Sequence, residues 1–191
     1  NIIVLTTGGR TETFAMEQVR LTRPELPAAC FVQMGDFLRY ALDETVAQGI
    51  TEVVIGGMAG RLTKIAQGET ITHANRNVVD TELVAEIARS IGASEADCEQ
   101  IAAAKTARFG SELMTERGLG AAFHTALAQA VINTLTAPER YGNAFLLRVL
   151  VCDFDGNKVA EAVSAPATPR PKPATAGRVG IAMGLEDFDT E

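Results

Sequence analysis

Long apolar runs are missing from this sequence. No stretch approaches the roughly 18 residues that a membrane-spanning helix needs, so no membrane association is expected. A basic-then-apolar leader is missing as well, and the first residue, Asn1, opens directly onto a strand-like run. The chain therefore reads as a piece of a longer protein that lacks its natural amino end. Clustered positive charge is also missing. Seventeen Lys and Arg stand against 24 Asp and Glu, a net charge of −7. Duplex nucleic acid requires basic clusters, so it is not an expected partner. A small anion needs only a few local cations and backbone N–H groups, and stays open. Cysteine and histidine are scarce, being limited to Cys30, Cys98, Cys152, His73 and His124. Their spacings match neither a zinc site nor a disulfide framework. No protein-held metal is expected, and unpaired cysteines suit a reducing cytoplasm.

What is present is ordinary globular composition, 47% hydrophobic and 21% charged over 191 residues, enough for one good core. Residues 2–6 (IIVLT) form a short β-branched run that ends in Thr7-Gly8-Gly9, which predicts a buried strand and a tight turn. Thr11 is placed to cap a helix starting near Glu12 and fading before Pro24. Residues 29–33 (ACFVQ) predict a second strand, again ending near a glycine, Gly35. A helix is expected from about Asp36 to Gln48, with Phe37, Leu38, Ala41, Leu42 and Val46 on its apolar face and Gly49 as its stop. Residues 52–55 open a third strand, which runs into Gly56-Gly57. Three strand–glycine–helix units predict a parallel, doubly wound arrangement with its glycine turns along one sheet edge. Ligands of open α/β sheets bind along that edge.

From about Asn77 to Leu135 the pattern turns helical. Val79, Leu83, Ile87 and Ile91 recur every four residues before Gly92. Ser94 with Asp97 resembles a capping box. Leu119, Phe123, Leu127, Ala130, Val131 and Leu135 mark a last helix, closed by Pro138. This is too much helix for one crossover, so a helical cluster beside the sheet is expected. Residues 145–152 predict a buried strand, Asp155-Gly156-Asn157 a turn, and residues 158–163 the returning arm of a hairpin. The expected fold class is α/β: a mainly parallel sheet with flanking helices, a helical cluster and a C-terminal β-hairpin. Residues 1–163 are read as one domain and 164–191 as a Pro- and Ala-rich linker and tail.

Four segments carry candidate chemistry. Thr7, Gly8, Gly9 and Arg10 follow the first strand; the glycines expose N–H groups and Arg10 offers a fork for carboxylate or phosphate. The plain alternative is a β–α turn with a solvated arginine. In Gln33-Met34-Gly35-Asp36-Phe37, Asp36 either caps its helix or faces a ligand as acceptor or base. Residues 56–64 (GGMAGRLTK) suggest two nucleotide motifs and fit neither. A P-loop has four residues between its glycines, whereas three separate Gly56 from Gly60. The dinucleotide fingerprint needs glycine where Ile55 stands. What survives is a turn with Gly57 and Gly60, a helix amino end, and Arg61 and Lys64 one turn apart as a cradle for a polyanion. Finally, residues 68–76 (GETITHANR) gather Thr72, His73 and Arg76. His73, in a polar loop, is the better candidate than His124, which lies in a helical pattern.

The order of LTTGGRTE, VQMGDF, GGMAGRLTKIAQG and THAN, over about residues 2–163, resembles the carboxyl-terminal half of the CbiD family. These are the cobalt-precorrin-5B C1-methyltransferases of anaerobic cobalamin biosynthesis. Two positions depart from that pattern: Arg61 stands for Lys, and Ala74 follows the histidine where serine is frequent. The family's amino-terminal half is absent. The resemblance implies S-adenosylmethionine as methyl donor and a tetrapyrrole acceptor whose cobalt arrives with the substrate. It implies that Arg10, Arg61, Lys64 and Arg76 meet substrate carboxylates, and that His73 or Asp36 moves any proton. The missing half would be a partner, and a homo-oligomer stays open. The competing reading is a non-catalytic module that binds a small anion or a nucleotide.

Overall fold

In a computed structural model, residues 1–72 and 78–166 are described. Their centre is a five-stranded sheet of order β2-β1-β3-β4-β5. The strands are β1 (Ile2–Thr6), β2 (Phe31–Gln33), β3 (Glu52–Gly57), β4 (Leu146–Cys152) and β5 (Lys158–Val163). β1 pairs in parallel with β2 and β3, and β3 pairs in parallel with β4. Only β5 runs antiparallel, as the return arm of the β4 hairpin. The expected mainly parallel sheet with a terminal hairpin is what forms.

The β-branched and leucine runs are buried because both sheet faces are covered. On one face, Val4, Phe31, Val54 and Leu150 pack against Ala15 and Val19 of α1 (Gly9–Thr22). On the other, Leu5, Val53, Ile55, Leu147, Val149 and Val151 share a core with three helices. These are α2 (Leu38–Ala47), α3 (Ala59–Ala66) and α7 (Gly120–Leu135). The helical cluster is completed by α4 (Thr81–Ser90), α5 (Glu95–Ala102) and α6 (Ala107–Glu116). Asp80, Ser94 and Thr106 cap these three helices, each accepting the backbone N–H three residues on. Each satisfies a donor that the first helical turn leaves without a partner. Gly49 and Gly92 follow α2 and α4 with φ of 66° and 88°, the left-handed conformation that glycine takes cheaply.

Several boundaries differ from expectation. α1 starts at Gly9, so Thr11 lies inside its first turn and donates to the Gly8 carbonyl at 2.8 Å instead of capping. Ala28–Cys30 form a 3-10 turn, which shortens β2 to three residues. Gly56 and Gly57 belong to β3, because they pair with Leu150 and Val151 of β4; the turn begins only at Met58. Phe37, not Asp36, occupies the cap position of α2, and Phe37 is exposed instead of joining the apolar face. On α4 the buried side is Val84, Ala85, Ile87 and Ala88, with Leu83 only partly covered. Asn77, the expected start of the helical region, lies outside the described residues, as do residues 167–191 of the expected linker and tail; its first three residues, 164–166, are described.

Candidate functional site

Because β1, β2 and β3 are parallel, their carboxyl ends reach the same sheet edge. Thr7-Gly8-Gly9, Met34-Gly35-Asp36 and Met58-Ala59-Gly60 all follow from that edge. A Cβ added at Gly8, Gly35 or Gly60 would meet nothing within 4 Å, so these three glycines face open space. Gly57 differs. A Cβ there would lie 2.9 Å from Leu62 Cδ2, so packing against α3 accounts for its lack of a side chain. Next to the first turn, Gln33 Nε2 donates to Glu12, tying β2 to α1. Thr7 is buried, its hydroxyl 3.3 Å from that of Thr11. Arg10 is exposed.

The best-defined cluster joins Asp36, Arg61 and Thr72. α3 leads away from the edge, and residues 67–72 then return as a strap beside α2. The Arg39 amide donates to the Thr70 carbonyl at 3.3 Å, and the Thr72 amide to the Asp36 carbonyl at 3.0 Å. The Arg61 guanidinium pairs with the Asp36 carboxylate. The same nitrogen donates to the Thr72 carbonyl at 3.1 Å and its hydroxyl at 3.3 Å. Arginine suits this junction because its planar fork stays charged when partly desolvated. Burial lowers its pKa, but from so high a value that the charge persists. Thr72, fully buried, is thus held between the β2–α2 turn and α3. One helical turn along, Lys64 is almost wholly buried. Burial, then repulsion from Arg61, lowers its pKa, and Glu69 on the strap works in the opposite direction.

The structure therefore brings Asp36, Gly35, Gly60, Arg61 and Thr72 together and sets Thr7, Gly8, Gly9 and Arg10 on the adjoining turn. It directs both Arg61 and Lys64 inward toward protein groups, where the sequence suggested an open cradle. His73 and Arg76 lie outside the described residues. His124 is buried, with Nε2 2.6 Å from Ser111 Oγ, far along the chain from the glycine turns and inside α7. One residue escaped sequence reasoning. Thr6 ends β1 beside Gly56, and its buried hydroxyl has no hydrogen-bond partner. An unpaired buried hydroxyl costs about 1–3 kcal/mol, and such groups need a reason to persist; its only signal was a polar residue closing an apolar run. Among the described residues no helix is long and apolar enough to cross a membrane. All three cysteines are unpaired.

Residues 71–163 match the family model described as CbiD, C-terminal domain. The chain belongs to the CbiD family. It is 70% identical over 166 residues to a protein of Paracidovorax citrulli named cobalt-precorrin-5B C(1)-methyltransferase, covering 87% of this chain and 43% of that one. Proteins of the same name from Polaromonas sp. and Methylococcus capsulatus are 61% and 57% identical over 161 residues. Each alignment covers 84% of this chain, and 42% and 41% of the relative respectively. This CbiD chain thus spans less than half the length of these relatives, over their carboxyl-terminal part. No solved structure matches it.

Proposed function

We propose that this chain is part of an enzyme that methylates C1 of cobalt-precorrin-5B, using S-adenosylmethionine as donor. The observation that carries the reading is the identity of 57–70% to proteins bearing that activity in their name, over nearly all of the described residues. The open glycine edge supports it, since that is where an α/β sheet receives a ligand.

The donor supplies an electrophilic methyl group on a sulfonium, and the tetrapyrrole carbon is itself electron-rich. The protein's work is then orientation and exclusion of water more than strong acid–base chemistry. Gly8, Gly35 and Gly60 leave room for a ligand to approach the backbone. Arg10 is available to a substrate carboxylate. Arg61 acts first on Asp36 and Thr72, so its contribution is to fix the strap that leads into residues 73–77, which include His73 and Arg76. Asp36 and His73 remain the candidates to take up any proton that the macrocycle releases after methylation. Three free cysteines fit a reducing cytoplasm. The remaining length of the relatives supplies the rest of the site and is the expected partner of this part.

A chain of the relatives' full length, incubated with methyl-labelled S-adenosylmethionine and cobalt-precorrin-5B, tests the proposal. Label transferred to the tetrapyrrole supports it. Tight binding of a nucleotide with no binding of S-adenosylhomocysteine by calorimetry would replace it with the small-ligand module.

A further inference from the structure

The order of the sheet reverses between β1 and β3. From β1 the chain crosses to β2 through α1, on the face of Val4 and Val54. From β2 it crosses back past β1 to β3 through α2, on the face of Leu5 and Ile55. The turns after β1 and β3 therefore leave toward opposite faces, into α1 and α3. A crevice forms between two such strand ends, and open α/β sheets take their ligands there. Gly8 and Gly60 border it, and a Cβ at either would meet nothing within 4 Å. At its floor Thr6 pairs with Gly56 across the two strands.

Three features of this crevice suit an anion. First, α1 opens with the amides of Gly9, Arg10 and Thr11, which have no partner within the helix, and no side chain caps them. Partial positive charge gathers at such an end. Second, Arg10 is exposed and forms no ion pair with a described residue. One turn on, Phe14 packs on Gly156 of the β4–β5 turn so closely that no Cβ fits there. Arg10 shares that side of α1, so it overlooks the β3 side of the crevice and not β2. Third, Thr6 is fully buried and its hydroxyl has no partner. Its Cγ2 and the Thr11 carbonyl come within 3.6 and 3.7 Å of the position of a Cβ on Gly56, which sets the Thr6 side chain under the first turn of α1. A donor left unsatisfied at this depth fits a site that a ligand's oxygen completes.

We infer that the crevice between β1 and β3 seats a carboxylate of one substrate, held by the first amides of α1, the Arg10 guanidinium and the Thr6 hydroxyl. This rests on the proposed methyl transfer, in which donor and tetrapyrrole both carry carboxylates, and it names the subsite that receives one. The donor's amino-acid carboxylate and the tetrapyrrole's rim carboxylates share this chemistry, and their binding can be measured apart.

A chain of the relatives' full length is titrated with S-adenosylhomocysteine by calorimetry, and with uroporphyrin III, an octacarboxylate whose Soret band reports binding. Arg10→Gln is expected to weaken one of the two by about tenfold or more and to leave the other within about twofold. Thr6→Val is expected to weaken the same ligand by about fivefold. It is also expected to raise Tm, because it removes an unsatisfied buried hydroxyl and keeps the shape. Gly8→Asp sets a carboxylate of the protein's own on the α1 amides, and is expected to raise Tm and abolish that binding. Loss confined to S-adenosylhomocysteine assigns the crevice to the donor, and loss confined to uroporphyrin assigns it to the acceptor. Equal loss of both, or loss of neither, would overturn the inference alone. So would a fall in Tm with Thr6→Val, which would give the hydroxyl a structural role. No binding of either ligand by the unaltered protein would overturn the methyl-transfer reading along with it.

Discussion

At the scale of single residues, Arg61 is the side chain whose meaning changed most between sequence and structure. Spacing put it one turn from Lys64 and suggested a shared anion. Its nearest partners are instead Asp36 and Thr72. Those residues lie far away in sequence, and nothing in the local spacing announces them. Arg61→Ala is expected to lower stability by about 1.5–3 kcal/mol, the range for hydrogen bonds to charged groups, as read from urea unfolding. Arg61→Lys should recover only part of this, since an ammonium lacks the planar fork. In both variants hydrogen exchange at the Thr72 amide should accelerate, because that amide bonds to Asp36. His124 gives a second, pH-dependent prediction. Burial pushes its pKa below the usual histidine value. The unfolded chain therefore binds a proton near pH 6.5 while the folded chain does not. Stability should fall as pH drops below about 6.5, until the lower folded pKa is reached. His124→Gln should flatten that slope in melts taken between pH 5 and 8.

At the scale of elements, helices were easier to read than their ends. The Ser94–Asp97 signature is realised: Ser94 Oγ accepts from the Asp97 amide at 3.1 Å, and its hydroxyl donates to the Asp97 carboxylate at 2.8 Å. That carboxylate also receives Arg117, which follows α6, so the cap of α5 doubles as a clamp between helices. The bond from Arg117, helped by Ser94, holds Asp97 below the usual carboxylate range. Its contribution is then present above about pH 4 and disappears as pH falls through the lower folded value. Asp97→Asn should be destabilising at pH 7, and in urea melts the difference from the parent should shrink as pH falls below about 4. The α4–α6 contact makes a separate prediction. A Cβ at Gly110 would lie 2.7 Å from Val84 Cγ1. Gly110→Ala should therefore cost about 1–3 kcal/mol through overpacking, although alanine is the better helix former. No periodicity could show this, because the glycine is demanded by a neighbour and not by its own helix. The end of α2 failed for a related reason. Asp36 has the chemistry of a cap, but its carboxylate pairs with Arg61 across the fold.

At the scale of the whole molecule, the strands were legible because fully buried strands leave short β-branched runs between glycines. Their order was less so. A parallel neighbour is chosen by packing far along the chain, and the extension of β3 through Gly56 and Gly57 follows from β4, a strand that the local sequence does not see. The central strands β1, β3 and β4 have neighbours on both sides. Their amides should exchange most slowly, and those of the three-residue edge strand β2 fastest. That ranking can be read by mass spectrometry after proteolysis. A reversed ranking of β2 and β3 would contradict the strand order.

The pairing of β3 with β4 also sets a clock. Residues 58–145 separate the two strands, and that loop must close before either is buried on both sides. Closure of long loops slows folding much more than it weakens the folded state. The β1–β2–β3 unit with its strap can assemble from nearby sequence, and the hairpin docks afterwards. Refolding should thus be biphasic: Thr72 becomes protected in the early phase, while Leu150 and Val151 wait for the late one. The candidate site would be built before the sheet that carries it is complete.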